Sequence, residues 1–162
     1  MAKSVFNDPQ RFIDTYWEKY KKQGWYHTGD SAKKDEDGYY WIIGRNDDVI
    51  KVSGYRLGSA EIEGVMARHP AIAESAAIAL PHHLKGNAIH ITAVLRSNYK
   101  PSKELELELM VHMEEHLGKI ARPEAIQFAE VLPKTRSGKI MRRLLKSRAL
   151  GLPDGDLSTM EE

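Results

Sequence analysis

The sequence predicts a mixed fold, α/β of the α+β kind, with a small hairpin-containing N-terminal segment followed by a compact sheet flanked by helices. Three observations carry this. Helical and strand-like apolar spacings alternate along the second half. An Asp35-Glu36-Asp37-Gly38 turn separates two aromatic-rich strand-like runs in the first. The chain, 162 residues with 41% hydrophobic content, is long enough to bury a core.

Each element has a local reason. Asp8-Pro9 can cap and begin a helix, and Phe12, Ile13, Tyr16, Trp17 and Tyr20 share one face of it before Gly24 closes it. Strands are expected at Trp25–Ala32 and Tyr39–Arg45, joined by the acidic turn, with a third at Val49–Ser53. A helix from Ser59 to the His69-Pro70 break turns Ile62, Val65 and Met66 inward. Ala73–Leu80 reads as a buried strand ended by Pro81, and 89–96 alternates only partly with a period of two. Ser102 opens a helix that Gly118 stops. Ala125–Val131 is a further strand, Pro133–Gly138 a polar loop, and Lys139–Leu150 a helix with Ile140, Leu144 and Leu145 inside. The tail after Gly151 is acidic and expected to be loose. A polar triplet, Asn46-Asp47-Asp48, divides the chain, giving segments 1–46, 47–150 and a tail, 151–162.

Composition narrows the function classes. A net charge of +1, from 24 Lys+Arg against 23 Asp+Glu, argues against a nucleic-acid binder. No apolar run approaches the ~20 residues of a membrane helix, and the first residues lack a signal-peptide stretch. The expectation is a soluble, cytoplasmic chain with no nucleic-acid or membrane partner. The absence of cysteine excludes disulfides, thiol nucleophiles and cysteine-type zinc sites.

Among seven histidines, His112 and His116 have a helical metal-ligand spacing. The glutamate of an H-E-x-x-H motif is missing, since Met113 follows His112, and a solvated helix face is the better reading. From Lys134 to Arg148 the chain is strongly basic, with no acidic residue between Glu130 and Asp154. A basic loop entering a helix N-terminus suits an anion. Thr135-Arg136-Ser137-Gly138-Lys139 is not a P-loop, because the G-x-x-x-x-G-K-[ST] frame is absent and Ile140 replaces the magnesium-binding hydroxyl. A second cluster, Gly44–Glu63, holds the cations Arg45, Lys51 and Arg56 with Gly54 and Gly58 between. Asp30, after Gly29, could accept hydrogen bonds from two ribose hydroxyls. These residues point to a phosphorylated ligand such as a nucleotide; a basic helix touching RNA or a partner protein is the bland alternative.

Three segments together resemble the adenylate-forming superfamily of acyl-CoA synthetases, luciferases and peptide-synthetase adenylation domains. They are Tyr26-His27-Thr28-Gly29-Asp30, the Gly44–Glu63 run, and Pro133-Lys134-Thr135-Arg136-Ser137-Gly138-Lys139-Ile140. The finer spelling of 52–58, 133–143 and 155–159 is similar to its AMP-forming, acetate-activating branch, with propionate or another short-chain acid as the alternative substrate. The resemblance implies a C-terminal piece of a larger ligase, inactive alone, that uses ATP, Mg2+ and CoA and partners with a missing N-terminal domain. It implies Lys139 as the catalytic residue of adenylation and a target of acetylation, with a lysine acetyltransferase and deacetylase as partners. It also implies Asp30, Arg45 and Arg56 as ATP/AMP contacts, Ser53 and Gly54 along the CoA thiol's path, Asp47 as a hinge, and a cation at Ala67, His69 and Ile72. One departure stands out: Glu114-Glu115 occupy the place where bacterial members of that acetate-activating branch carry an arginine for a CoA phosphate, so the resemblance implies a contact that is weaker here or made by another residue such as Lys119 or Arg122.

Overall fold

The computed structural model describes residues 3–46 and 48–161, with Ile43 by its backbone alone. The chain divides into two compact units, Met1–Asp47 and Asp48–Glu162.

In the first unit, α1 spans Pro9–Tyr16, capped by the Asp8 carboxylate, which accepts from the Arg11 amide at 3.0 Å. The single long helix expected there breaks at Trp17 (φ −122°), and a 3-10 segment, Glu18–Gln23, ends at left-handed Gly24. The reason is tertiary. The Tyr16 carbonyl accepts from the His27 amide at 2.8 Å, and the returning chain stacks Tyr26 on Tyr16 with ring centroids 5.1 Å apart. For the same reason β1 begins at Asp30 rather than Trp25 and runs to Lys34. It pairs antiparallel with β2, Tyr40–Arg45, from Lys34↔Tyr40 to Asp30↔Arg45. Asp35 organises the turn by accepting from the Tyr39 amide and the Trp41 indole (2.7 Å), and the indole bond holds its carboxyl below the ordinary value. Phe12 is buried, whereas Trp25, Tyr39, Tyr40, Trp41 and Ile42 are exposed.

The second unit opens with a hairpin, β3 (Val49–Val52) and β4 (Tyr55–Gly58); β4 is a strand that the sequence pattern did not announce. Helix α2 (Ser59–Met66) follows, then β5 (Ile72–His82), β6 (Gly86–Leu95), α3 (Lys103–Leu117), β7 (Ala125–Ala129) and α4 (Arg142–Ala149). The sheet order is β5-β6-β7, with β5 antiparallel to β6 and β6 parallel to β7 through the α3 crossover. Ile62, Met66, Ile72, Ile89, Ile91, Leu109 and Met113 form the fully buried heart of the unit. Adjacent Ala76 and Ala77 are both buried because α2 and α4 each pack on β5. Strict alternation is lost for that reason. Pro81 does not end β5; it pairs with Asn87 on an edge strand, where a missing N–H is tolerated. Ser102 caps α3 through the Leu105 amide, and Gly118 (φ 82°) stops it.

Two expectations near the C-terminus are corrected. The last helix begins at Arg142, not Lys139, because Ile140 bridges Lys134 and the Met141 amide donates to the Pro133 carbonyl. The tail is not loose: Asp154 pairs with Arg148 at 2.7 Å, and Thr135 bridges Met160.

Candidate active-site elements

Asp30 and Arg45 face each other across β1 and β2, with the guanidinium 4.0 Å from the carboxylate. A Cβ on Gly29 (φ 84°) would stand 3.0 Å from Arg45 Nη2, so the arginine lies directly over that glycine. Asn46 anchors this end of the hairpin: its amide donates to the Gly29 carbonyl at 2.7 Å, and its side chain meets Ser31 and the Asp30 carbonyl. The sequence pattern shows Asn46 only as a boundary residue; its anchoring role comes from pairing that only the fold creates. The result is an exposed carboxylate and guanidinium on a fixed strand end, suited to hydroxyl and phosphate groups of one ligand. Asp47 lies outside the described residues.

In the second unit, Ser53 (φ 47°) and Gly54 (φ 87°) are the two central residues of the β3–β4 turn, between the pair Val52↔Tyr55. Two successive positive φ values make it a type I′ turn. Arg56 stands opposite Lys51, both exposed, so two cations flank the hairpin. The Ser53 amide donates to the Lys85 carbonyl at 3.0 Å. Beside the turn opens a cavity of about 280 Å³ lined by Val52, Ser53, Lys85, Lys119, Arg122 and Glu124, among others. Lys85 pairs with Glu124 and Arg122 with Glu114, each at 2.8 Å. The Lys85 hydrogen bond holds the Glu124 carboxyl below its ordinary value.

Lys139 stands on a hairpin of its own. The Thr135 amide donates to the Lys139 carbonyl at 2.8 Å, the Lys139 amide donates to Thr135 Oγ1 at 3.2 Å, and Gly138 (φ 78°) makes the reversal. Its backbone is therefore fixed while its side chain is exposed. A helix N-terminus does not present it, contrary to expectation; a bridged loop does. At the base of the loop, Arg142 binds both Glu63 oxygens (2.7–3.1 Å) and approaches Asp48 at 3.5 Å, while Glu63 also accepts from the Ala77 amide. This network, which joins positions far apart in the chain, has no sequence signature beyond its charges.

His69 is buried, with Nδ1 accepting from the Ala71 amide and Nε2 3.1 Å from Glu108. Its carbonyl accepts from the Ile72 amide, and Ala67 is the C-cap of α2. His112 hydrogen-bonds the Val65 carbonyl and His116 the His112 carbonyl. Among the described residues, no group of three or more His, Asp or Glu side chains is placed to hold a metal ion, and no helix is long and apolar enough to cross a membrane.

Residues 61–139 match the family model described as AMP-binding enzyme C-terminal domain. The chain is 50% identical over its whole length to an acetyl-coenzyme A synthetase of Desulfatibacillum aliphaticivorans. It is 48% identical over 99% of its length to acetyl-coenzyme A synthetase 1 of Pseudomonas aeruginosa. In each case it spans 25% of the relative, a C-terminal portion. The solved structure of ATP-bound MatB from Rhodopseudomonas palustris superposes with a TM-score of 0.75 at 25% identity, covering 90% of this chain and 28% of that one. The mixed fold, the matched segment and the similarity along the whole of this chain agree: residues 61–139 belong to the AMP-binding enzyme C-terminal domain family.

Proposed function

We propose that this chain is the C-terminal portion of an AMP-forming acid–CoA ligase that activates acetate, and that it supplies the mobile half of the active site. In the first step an acetate oxygen attacks the α-phosphorus of Mg-ATP; the new P–O bond forms as pyrophosphate leaves. In the second, the CoA thiol attacks the acyl carbon, losing its proton, and AMP departs. The observation that carries this reading is Lys139, an exposed ammonium on a backbone pinned at both its amide and its carbonyl. A fixed cation offsets charge developing on the phosphoryl and carboxylate oxygens without reorganising.

The other roles follow from position. Asp30 accepts from the ribose hydroxyls with Arg45 beside it, and Arg56 meets the AMP phosphate. Ser53 and Gly54 border the thiol path, and the adjoining cavity receives part of CoA. Lys119 is the cation for a CoA phosphate there, since the Arg122 guanidinium is held by Glu114. Residues 1–46 end the large domain, and 47–150 form the small domain that swings about Asp47 between the two steps. The exposed aromatic row Tyr39, Tyr40 and Trp41 is surface for the rest of that larger domain to cover. A cation at Ala67, His69 and Ile72 would have to be held through main-chain oxygens, because both His69 nitrogens are engaged; no step passes through it. The protein works in the cytoplasm, where acetylation of Lys139 by a lysine acetyltransferase would remove its charge and a deacetylase would restore it.

The test uses the full-length protein with Lys139→Ala, each half-reaction measured separately. Acetate-dependent pyrophosphate exchange should fall by on the order of a hundredfold or more, while acetyl-CoA formation from preformed acetyl-adenylate persists. Unchanged exchange, or equal loss of both, would overturn the assignment.

A further inference from the structure

The C-terminal tail does something the acetate-ligase reading leaves unassigned. The Lys139 hairpin, 134–140, is by itself a two-stranded ribbon, and such ribbons are marginal in water. Its outer edge is the backbone of 134–136, with polar groups that an unpaired strand would leave to solvent. The tail closes that edge. The Arg136 amide donates to the Thr159 carbonyl at 3.0 Å, the Glu161 amide donates to the Lys134 carbonyl at 2.9 Å, and Thr135 bridges Met160. Residues 139–140, 134–135 and 159–161 therefore lie as three short strands, with Thr135 in the middle. Thr135 touches Lys139 twice, through its amide and its hydroxyl, so it links the tail to the lysine directly.

The tail is held in that place by contacts with α4. The Asp154 carboxylate takes two guanidinium nitrogens of Arg148 at 2.7–3.2 Å. Arg143 Nη2 donates to the Asp156 carbonyl at 2.7 Å. At Gly155 (φ 72°) a Cβ would stand 2.5 Å from Arg143 Nη1, an approach that only glycine permits without displacing the arginine. Asp156 then accepts from the Ser158 amide at 2.9 Å, and this turn aims 159–161 along the loop.

We propose that residues 154–161 are a positioning strap for Lys139, which holds the lysine's backbone in adenylating geometry; this rests on the role of Lys139 proposed above. A misplacement of about 1 Å at a reacting group costs on the order of a hundredfold in rate, so loosening the middle strand should be read in the first half-reaction and not in the second.

The experiment uses the full-length protein. Glu161→Pro removes the N–H that donates to Lys134, whereas Glu161→Ala keeps it. For Glu161→Pro, hydrogen exchange at the Arg136 amide should accelerate. The kcat of acetate-dependent pyrophosphate exchange should fall about ten- to a hundredfold, with KM for ATP and thioester formation from acetyl-adenylate within about twofold of wild type. Glu161→Ala should restore both readouts. Gly155→Val, which drives a side chain into Arg143, should reproduce the pattern and serves if the proline variant does not fold. Faster exchange with undiminished adenylation refutes the strap, as does parallel loss of both half-reactions. If Lys139→Ala itself leaves adenylation intact, the underlying assignment has failed, and the strap falls with it.

Discussion

Gly54 offers a way to separate what a turn needs from what a substrate path needs. Its φ of +87° lies where an L-residue costs about 1–2 kcal/mol, and a Cβ there meets no atom of this chain within 4 Å. Alanine and leucine should therefore destabilise the second unit equally, through the backbone alone. The expected loss of about 1–2 kcal/mol corresponds to a drop in Tm of about 4–10 °C. Function should distinguish them. Leucine carries three further carbons into the open space over the Ser53–Gly54 turn, whereas alanine adds one methyl. In full-length protein below its Tm, Gly54→Leu should lower acetyl-CoA formation from acetyl-adenylate at least a hundredfold, a loss of about 2.7 kcal/mol in barrier terms. Gly54→Ala should cost less than about fivefold, and pyrophosphate exchange should stay within about twofold for both. The assays are thermal unfolding and the two half-reactions. If alanine is as damaging to thioester formation as leucine, the type I′ turn and not the open path explains the glycine. If both half-reactions fall together, Gly54 matters only to the fold.

Arg142→Ala should destabilise the second unit by about 1.5–3 kcal/mol, because Glu63 loses charged hydrogen bonds in a half-buried setting; denaturant unfolding checks this, and a loss below about 0.5 kcal/mol would dismiss the network. His90 is held below its ordinary 6.5, chiefly by burial, with Glu124 opposing and His82 adding to the effect. Its unfolded form takes the proton first, so its contribution is complete above about pH 6.5 and is lost as pH falls toward the folded value; His90→Gln should flatten that part of the stability profile. Asp154 is depressed below its ordinary 3.8 by its hydrogen bonds with Arg148, so the tail contact is complete above that value and fails as pH falls through the folded one. Asp154→Asn should speed Arg136 amide exchange at neutral pH, and no change would mean that the Arg148 pair does not anchor the tail.

The mixed helix-and-strand character and the caps Asp8, Ser102 and Gly118 were legible because each depends on neighbours within a turn or two of chain. The candidate site residues stood out in the sequence only as types, cations and glycines in dense clusters, and as motifs that resemble a known family. What the residue pattern could not show is what holds them. Helix α1 was expected to continue, yet it stops at Trp17 because Tyr16 is claimed by His27 and Tyr26. Lys139 was expected at a helix start, yet it lies on a bridged hairpin because Lys134 pairs with Ile140. The acidic tail, without periodicity, folds because its carbonyls and amides match an open strand edge at 134–136. Composition and spacing report short-range preferences and chemical type, which this sequence by itself determined. The pairing of Glu63 with Arg142, and of the tail with the Lys139 loop, joins groups whose partners exist only after the chain has closed on itself, and only the tertiary structure decided it.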